Sequence, residues 1–135
     1  MYNSNSVEAE LLAMSRISSE GFVVFTPVTH DTSADFIVYD KKTANSYTVQ
    51  VKSTHKASNR RKNSYIFDVR KPTRKHSKRD EYSFDIYAFV VTSVREVRFE
   101  WKSSLPAKSQ INFHISDSGK YPWEANTLSS ILYGA

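Results

Sequence analysis

Apolar positions in this 135-residue chain come mostly in short alternating runs, and helical spacing is confined to its two ends. At about 100° per residue, Val7, Leu11, Met14 and Ile17 fall within an arc of roughly 120°, which predicts an amphipathic helix starting near Ser6. Ser6 is a suitable N-cap, and Glu8 and Glu10 sit near the end where the helix dipole favours acids. Gly21 is placed to end the helix. Residues 22–26 (FVVFT) are β-branched and aromatic and predict a strand, closed by Pro27. Residues 28–34 (VTHDTSA) read as a loop. Two strand-like runs follow, 35–40 and 47–53, joined by the polar connector 41–46, and a hairpin is the simplest reading. Residues 64–69 (SYIFDV) alternate and predict another strand. Residues 86–91 (IYAFVV) are apolar throughout, as a central strand would be. Residues 96–101 alternate and pair with them through 92–95, and 111–115 (INFHI) form a further short strand. Pro122 at a first-turn position, followed by Trp123, Leu128, Ile131 and Leu132, predicts a terminal helix over 123–133.

The order of elements gives an α/β class with a mixed α+β sheet, and residues 1–135 read as one domain with no internal repeat. A hydrophobic fraction of 39% and an aromatic fraction of 13% support a folded core. There is no cysteine, which excludes disulfides and thiolate zinc sites and is compatible with a reducing cytoplasm. The N-terminus shows no basic segment followed by an apolar stretch, so no secretory signal is expected. The longest apolar run, 86–91, is too short to span a bilayer.

Charge changes the picture. The net charge is +5, but residues 52–79 hold eleven Lys or Arg against the single acid Asp68. That stretch is +10, and the remaining eight basic and thirteen acidic residues give −5. Charge concentrated in this way is the footprint of a polyanion site, with nucleic acid as first candidate. Pro72 and the scattered Ser, Thr and Asn spoil helical periodicity and argue against a basic membrane helix.

The hairpin carries the candidate chemistry. Side chains alternate along a strand, so Asp35, Ile37 and Tyr39 share one face, as do Thr48, Gln50 and Lys52. A symmetric connector would pair Asp40 with Tyr47, Ile37 with Gln50 and Asp35 with Lys52. A carboxylate, an amide and an ammonium would then share one surface. Oxygen donors of this kind suit magnesium, with the Val51 carbonyl as a further ligand. An ammonium beside them can stabilise phosphate charge or position water. On the preceding helix Glu10 lies inside the apolar arc, between Met14 and Ile17, whereas Glu8 lies off it. A glutamate there is costly unless it is paired or bound to a cation. Helix packing would bring Glu10 toward Asp35. His30 and Asp31 in the loop rank below Asp35, as ordinary loop formers. The plain alternative is that Asp35 ends a loop, Lys52 tips an edge strand and Glu10 reaches solvent.

The segment GFVVFTPVTHDTSADFIVYD…YTVQVKST resembles the PD-(D/E)XK nuclease core over roughly residues 7–56, in the form where glutamine replaces the acid of the last motif. That form is similar to the small cyanobacterial-type intron-encoded homing endonucleases of this fold. The resemblance implies an αβββαβ core, with added C-terminal strands and helix here, and a metal-dependent phosphodiesterase. It matches Glu10 to the helix glutamate, Asp35 to the central metal-binding aspartate, Gln50 to the acid-or-glutamine position and Lys52 to the lysine. Two departures stand out: Ala34 replaces the usual proline, and Gln50 is neutral.

Together these readings lead to a DNA endonuclease using magnesium or manganese, most simply of the site-specific homing type. A Holliday-junction resolvase or a restriction-type nuclease is the alternative within the fold. A non-catalytic DNA-binding protein is the alternative of another class, and RNA stacking on Tyr65 or Tyr82 is a third. Asp35 and Glu10 would hold the cation with the Val51 carbonyl, and Lys52 would act on the attacking water. The basic insertion, about residues 53–80, would contact double-stranded or branched DNA through Lys56, Arg60, Arg61, Lys62, Arg70, Lys71, Arg74, Lys75, Lys78 and Arg79. A duplex break needs two active sites, so a homodimer or homotetramer is expected, in a bacterial, phage or archaeal cytoplasm. His30, His55, His76 and His114 lack zinc spacing, and there is no glycine-rich phosphate loop or Gly-x-Ser-x-Gly element.

Overall fold

The structure, a computed structural model, describes residues 4–28, 34–55, 64–69, 84–105, 110–114 and 126–134. Helix α1 (Ser4–Ser19) leads into strands β1 (Val23–Phe25), β2 (Phe36–Asp40) and β3 (Asn45–Thr54). Strands β4 (Ser64–Asp68), β5 (Ile86–Val91), β6 (Glu96–Trp101) and β7 (Gln110–His114) and helix α2 (Leu128–Tyr133) complete the order. Five strands form a mixed sheet in the order β1-β2-β3-β5-β6, and β4 and β7 form a separate antiparallel ribbon. Only the β3–β5 pair in the main sheet is parallel, with Val49 opposite Ile86 and Lys52 opposite Phe89. The alternation that predicted the strands now sorts their side chains between two layers.

On the front face α1 packs through Ala9, Ala13 and Ile17 against Phe36, Val38, Val49, Ile86, Ala88 and Val90, and Leu128 of α2 closes the same core. On the back face Phe84, Tyr87, Phe89 and Val91 meet Tyr65 and Phe67 of the ribbon. Phe67 and Phe89 lie 4.9 Å apart edge to face, and Phe113 of β7 lies 5.0 Å from Phe89. Aromatic pairs of this geometry are worth about 0.5–1.5 kcal/mol beyond their buried area. Covered on both faces, β5 is buried at every position, which is why its sequence does not alternate.

Several expectations need correction. The helix begins at Ser4, so Ser6 lies inside its first turn and no acid does. Its buried face is Ala9–Ala13–Ile17, turned about 100° from the expected stripe, and Val7 and Leu11 are 43% and 58% exposed. Small alanines let the helix approach the sheet closely, which large side chains would prevent. The hairpin register also differs by two: Asp40 pairs with Asn45 and Ile37 with Thr48. Asp40 tightens the turn by accepting from the Lys42 N–H (3.0 Å) and the Thr43 hydroxyl (3.0 Å), and Ala44 adopts φ 60°. The connector is therefore four residues long, not six. A shift of two keeps every side chain on its expected face, whereas a shift of one would have inverted the strand.

At the C-terminal end the helix starts at Leu128, capped by the Thr127 hydroxyl, which accepts from the Ser130 N–H (3.1 Å), and ended by Gly134 in the left-handed region. Glu20, just beyond α1, accepts from the Leu128 and Ser129 N–H groups at 3.1 and 2.8 Å and so ties the two ends of the chain together. Pro122 and Trp123 lie outside the described residues. No helix is described between β3 and β5, where the resemblance implied one; much of that stretch lies outside the described residues. The β4–β7 ribbon, a sheet of its own, was not anticipated.

Candidate functional site

The site forms where β2 begins and β3 nears its end. The Asp35 N–H donates to the Val49 carbonyl at 2.8 Å, and Phe36 is the register partner of the same Val49. Two residues of one strand thus address one of the other, the count that defines a β-bulge. Such a bulge re-aims a side chain out of strict alternation. Asp35 turns to the strand edge, where its Oδ2 accepts from the Val51 N–H at 2.7 Å. A strand residue sends its N–H and C=O to the same side, so the Val51 carbonyl lies on that edge too. The sequence marked Val51 for its carbonyl only; its N–H, which holds the aspartate, carries no side-chain signal.

Glu10 reaches this point from α1, and its carboxyl hydrogen-bonds to that of Asp35. Lys52, on the adjoining strand, lies close enough to act on Asp35 by charge. Burial raises the Asp35 carboxyl above its ordinary value of 3.8; the Val51 N–H, Glu10 and Lys52 pull the other way without cancelling it. Glu10, Asp35 and Lys52 are therefore brought together, and Glu10 rather than Glu8 makes the contact with Asp35. Gln50 is half-buried on β3, opposite Tyr87 of β5 and on the same face as Lys52. The expected pairing of Asp35 with Lys52 does not occur: the two-residue register shift already moves Asp35 off Lys52, and the bulge then places its N–H on Val49.

Two carboxyls in contact cannot both ionise comfortably without a proton or a cation between them. With the Val51 carbonyl they make a sparse, all-oxygen donor set, which suits a hard cation that keeps part of its water. Among the described residues no group of three or more His, Asp or Glu is assembled, so a richer protein cage is absent there. The residues present thus fit magnesium better than zinc.

The remaining candidates fare differently. Lys56, Arg60, Arg61, Lys62, Arg70, Lys71, Arg74, Lys75, Lys78 and Arg79 lie outside the described residues, as do His30, Asp31, His76 and Tyr82. His55, where β3 ends, lies 2.8 Å from the Thr92 hydroxyl through Nδ1. Tyr65 is buried in the back-face cluster and offers no stacking surface. Among the described residues no helix is long and apolar enough to cross a membrane.

No family model matches the chain, and a search of curated proteins finds no match. Among solved structures, the bacterial homing endonuclease I-Ssp6803I matches with a TM-score of 0.72 at 19% identity, over 98% of this chain and 92% of that one. The likeness establishes a shared mixed α+β fold.

Proposed function

We propose that this chain is a magnesium-dependent DNA endonuclease. The observation that carries the reading is the contact between the Glu10 and Asp35 carboxyls, beside Lys52, at a bulged strand end. The fold shared with a homing endonuclease and the +10 stretch that begins at Lys52 support the same reading.

Asp35, Glu10 and the Val51 carbonyl would hold the cation. Magnesium held there supplies charge neutralisation at the phosphoryl oxygens and lowers the pKa of water. The Val51 N–H fixes Asp35, so the carboxylate is in place before substrate arrives. Lys52 donates to a phosphoryl oxygen or to the attacking water, where its charge counts most as negative charge builds up on the oxygens. Hydrolysis forms one bond from water oxygen to phosphorus and breaks one ester bond, and the leaving oxygen takes up a proton. Gln50, being neutral, orients by hydrogen bonding and adds no charge. Residues 56–63 and 70–83 bring the positive charge that phosphates require. Within this reading we favour a site-specific enzyme of the homing type, and substrate choice separates it from a junction resolvase.

Lys52→Ala tests the assignment of roles. Cleavage should fall by at least ~100-fold, as when one preorganised donor is lost. Binding should weaken only slightly, because one phosphate contact among many is removed. A variant that cuts at the wild-type rate would remove Lys52 from the mechanism.

A further inference from the structure

The β4–β7 ribbon has one face committed to the core and one that is not. Tyr65 and Phe67 point inward onto Phe89 and Tyr87, with Ile111 buried on the facing strand. Between them Ile66 is 37% exposed, and Gln110 at the start of β7 is exposed as well. Ile66 stands opposite Asn112, and Asp68 opposite Gln110. An isoleucine, a glutamine and the exposed Asp68 thus lie on the outward surface of a two-stranded antiparallel ribbon, and an aspartate there can accept from the cytosine amino group.

Three features point to what covers that surface. First, a two-stranded ribbon is one of the two elements that fit the major groove of B-DNA. Second, β4 lies in sequence between residues 56–63 and 70–83, which together carry ten of the nineteen Lys and Arg residues of the chain. Strand β4 is therefore joined along the chain, at both ends, to the charge that would draw a polyanion. Third, the ribbon lies on the same side of the main sheet as Lys52. Lys52 is in register with Phe89, and the Phe67 ring lies 4.9 Å from that of Phe89. With neighbouring strands about 4.8 Å apart, the inner ribbon layer lies on the order of 10 Å from the Lys52 position, a few base-pair steps.

We infer that the outer face of the β4–β7 ribbon reads base edges in the major groove a few base pairs from the scissile phosphate, with Gln110 and Ile66 as specificity-determining residues. Glutamine pairs with the N6 and N7 edge of adenine, and an apolar side chain packs on the thymine methyl. The ring contacts of Phe67 and Phe113 with Phe89 fix the ribbon, so its outer residues are held ready before binding. This inference rests on the endonuclease reading for the position of the cut, but not for the recognition itself.

The test is selection from a randomised duplex library, read once by binding without divalent metal and once by cleavage with magnesium. Wild type, Gln110→Ala, Ile66→Ala and the control Val94→Ala, an exposed site on the β5–β6 turn, are compared. Each ribbon variant should lose preference at one or two base pairs by about ten-fold, with an unchanged salt dependence, since phosphate contacts are untouched. The control should match wild type. Selective binding lost in the ribbon variants without any cleavage would sink the nuclease and keep the ribbon. Cleavage with identical preferences in all four proteins would sink the ribbon and keep the nuclease. Preference for RNA over duplex DNA would overturn the inference, because the major groove of an RNA helix is too deep and narrow to read.

Discussion

Asp35 is pulled in two directions by its surroundings. Burial raises its carboxyl, and the Val51 N–H, Glu10 and Lys52 offset that rise only in part. A carboxyl whose folded value is raised binds its proton more tightly folded than unfolded, so stability falls as pH rises above the ordinary value of 3.8. Asp35→Asn removes that penalty. The variant should melt higher than wild type at pH 7 without divalent metal, and the gap should shrink toward pH 4. Magnesium should raise the melting temperature of wild type and leave the variant unchanged. Melting curves at the two pH values check this, and a variant less stable than wild type at neutral pH would contradict it.

A second pair at the same scale has the opposite sign. Burial would raise Asp40, but the Tyr133 hydroxyl (2.8 Å), the Lys42 N–H and the Thr43 hydroxyl outweigh it and hold the carboxyl below its ordinary value. Its contribution is present above pH 3.8 and is lost as pH falls below that. Tyr133 is 43% exposed, but partial desolvation and its hydrogen bond to the Asp40 carboxylate push it up to about 12, so its contribution is intact below pH 10 and lost between pH 10 and about 12. Tyr133→Phe should flatten both limbs of stability measured by urea unfolding against pH. Of these four residues, Glu10 and Asp35 were legible as chemistry because each breaks an apolar pattern. Asp40 and Tyr133 were not, since their contact joins positions 93 residues apart.

At the scale of elements, strand identity was the most legible feature. The runs at 86–91 and 96–101 form strands with those bounds, because alternation and burial act within each run. Side-chain size is a poor guide to burial on α1, where Val7 and Leu11 are exposed and Ala9 and Ala13 are not. Its three fully buried positions include two alanines, chosen for close approach. Ala13→Leu should therefore destabilise by about 1–3 kcal/mol through overpacking, while Leu11→Ala should stay within about 0.5 kcal/mol. Chemical denaturation of both variants checks the assignment, and a larger loss at Leu11 would restore the original stripe. The ribbon was invisible for a different reason. Strands β4 and β7 are separated by β5 and β6 in sequence, and nothing local marks such a pairing.

Across the whole molecule, the order of elements and the segregation of charge were both readable, and their spatial relation was not. The parallel β3–β5 pair requires a crossover, and β4 lies within it. That single topological fact sets a strand of the positive stretch behind β5, on the Lys52 side of the sheet. The register shift left the site intact because it was even, and the bulge at Asp35 then supplied what alternation alone could not. A duplex break by a chain with one such site still calls for two copies, and we propose a homodimer or homotetramer on that ground.

The measurement that bears most directly on the proposed activity is cleavage of supercoiled plasmid, a four-way junction and a randomised-site duplex library, with and without magnesium, by wild type and Asp35→Ala. Magnesium-dependent cutting by wild type, lost in Asp35→Ala, is the predicted result, and the substrate cut selects between a site-specific enzyme and a resolvase. DNA retention that is salt-sensitive and equal in both proteins, with every substrate uncut, would contradict it and leave a binding protein built on a nuclease-like fold.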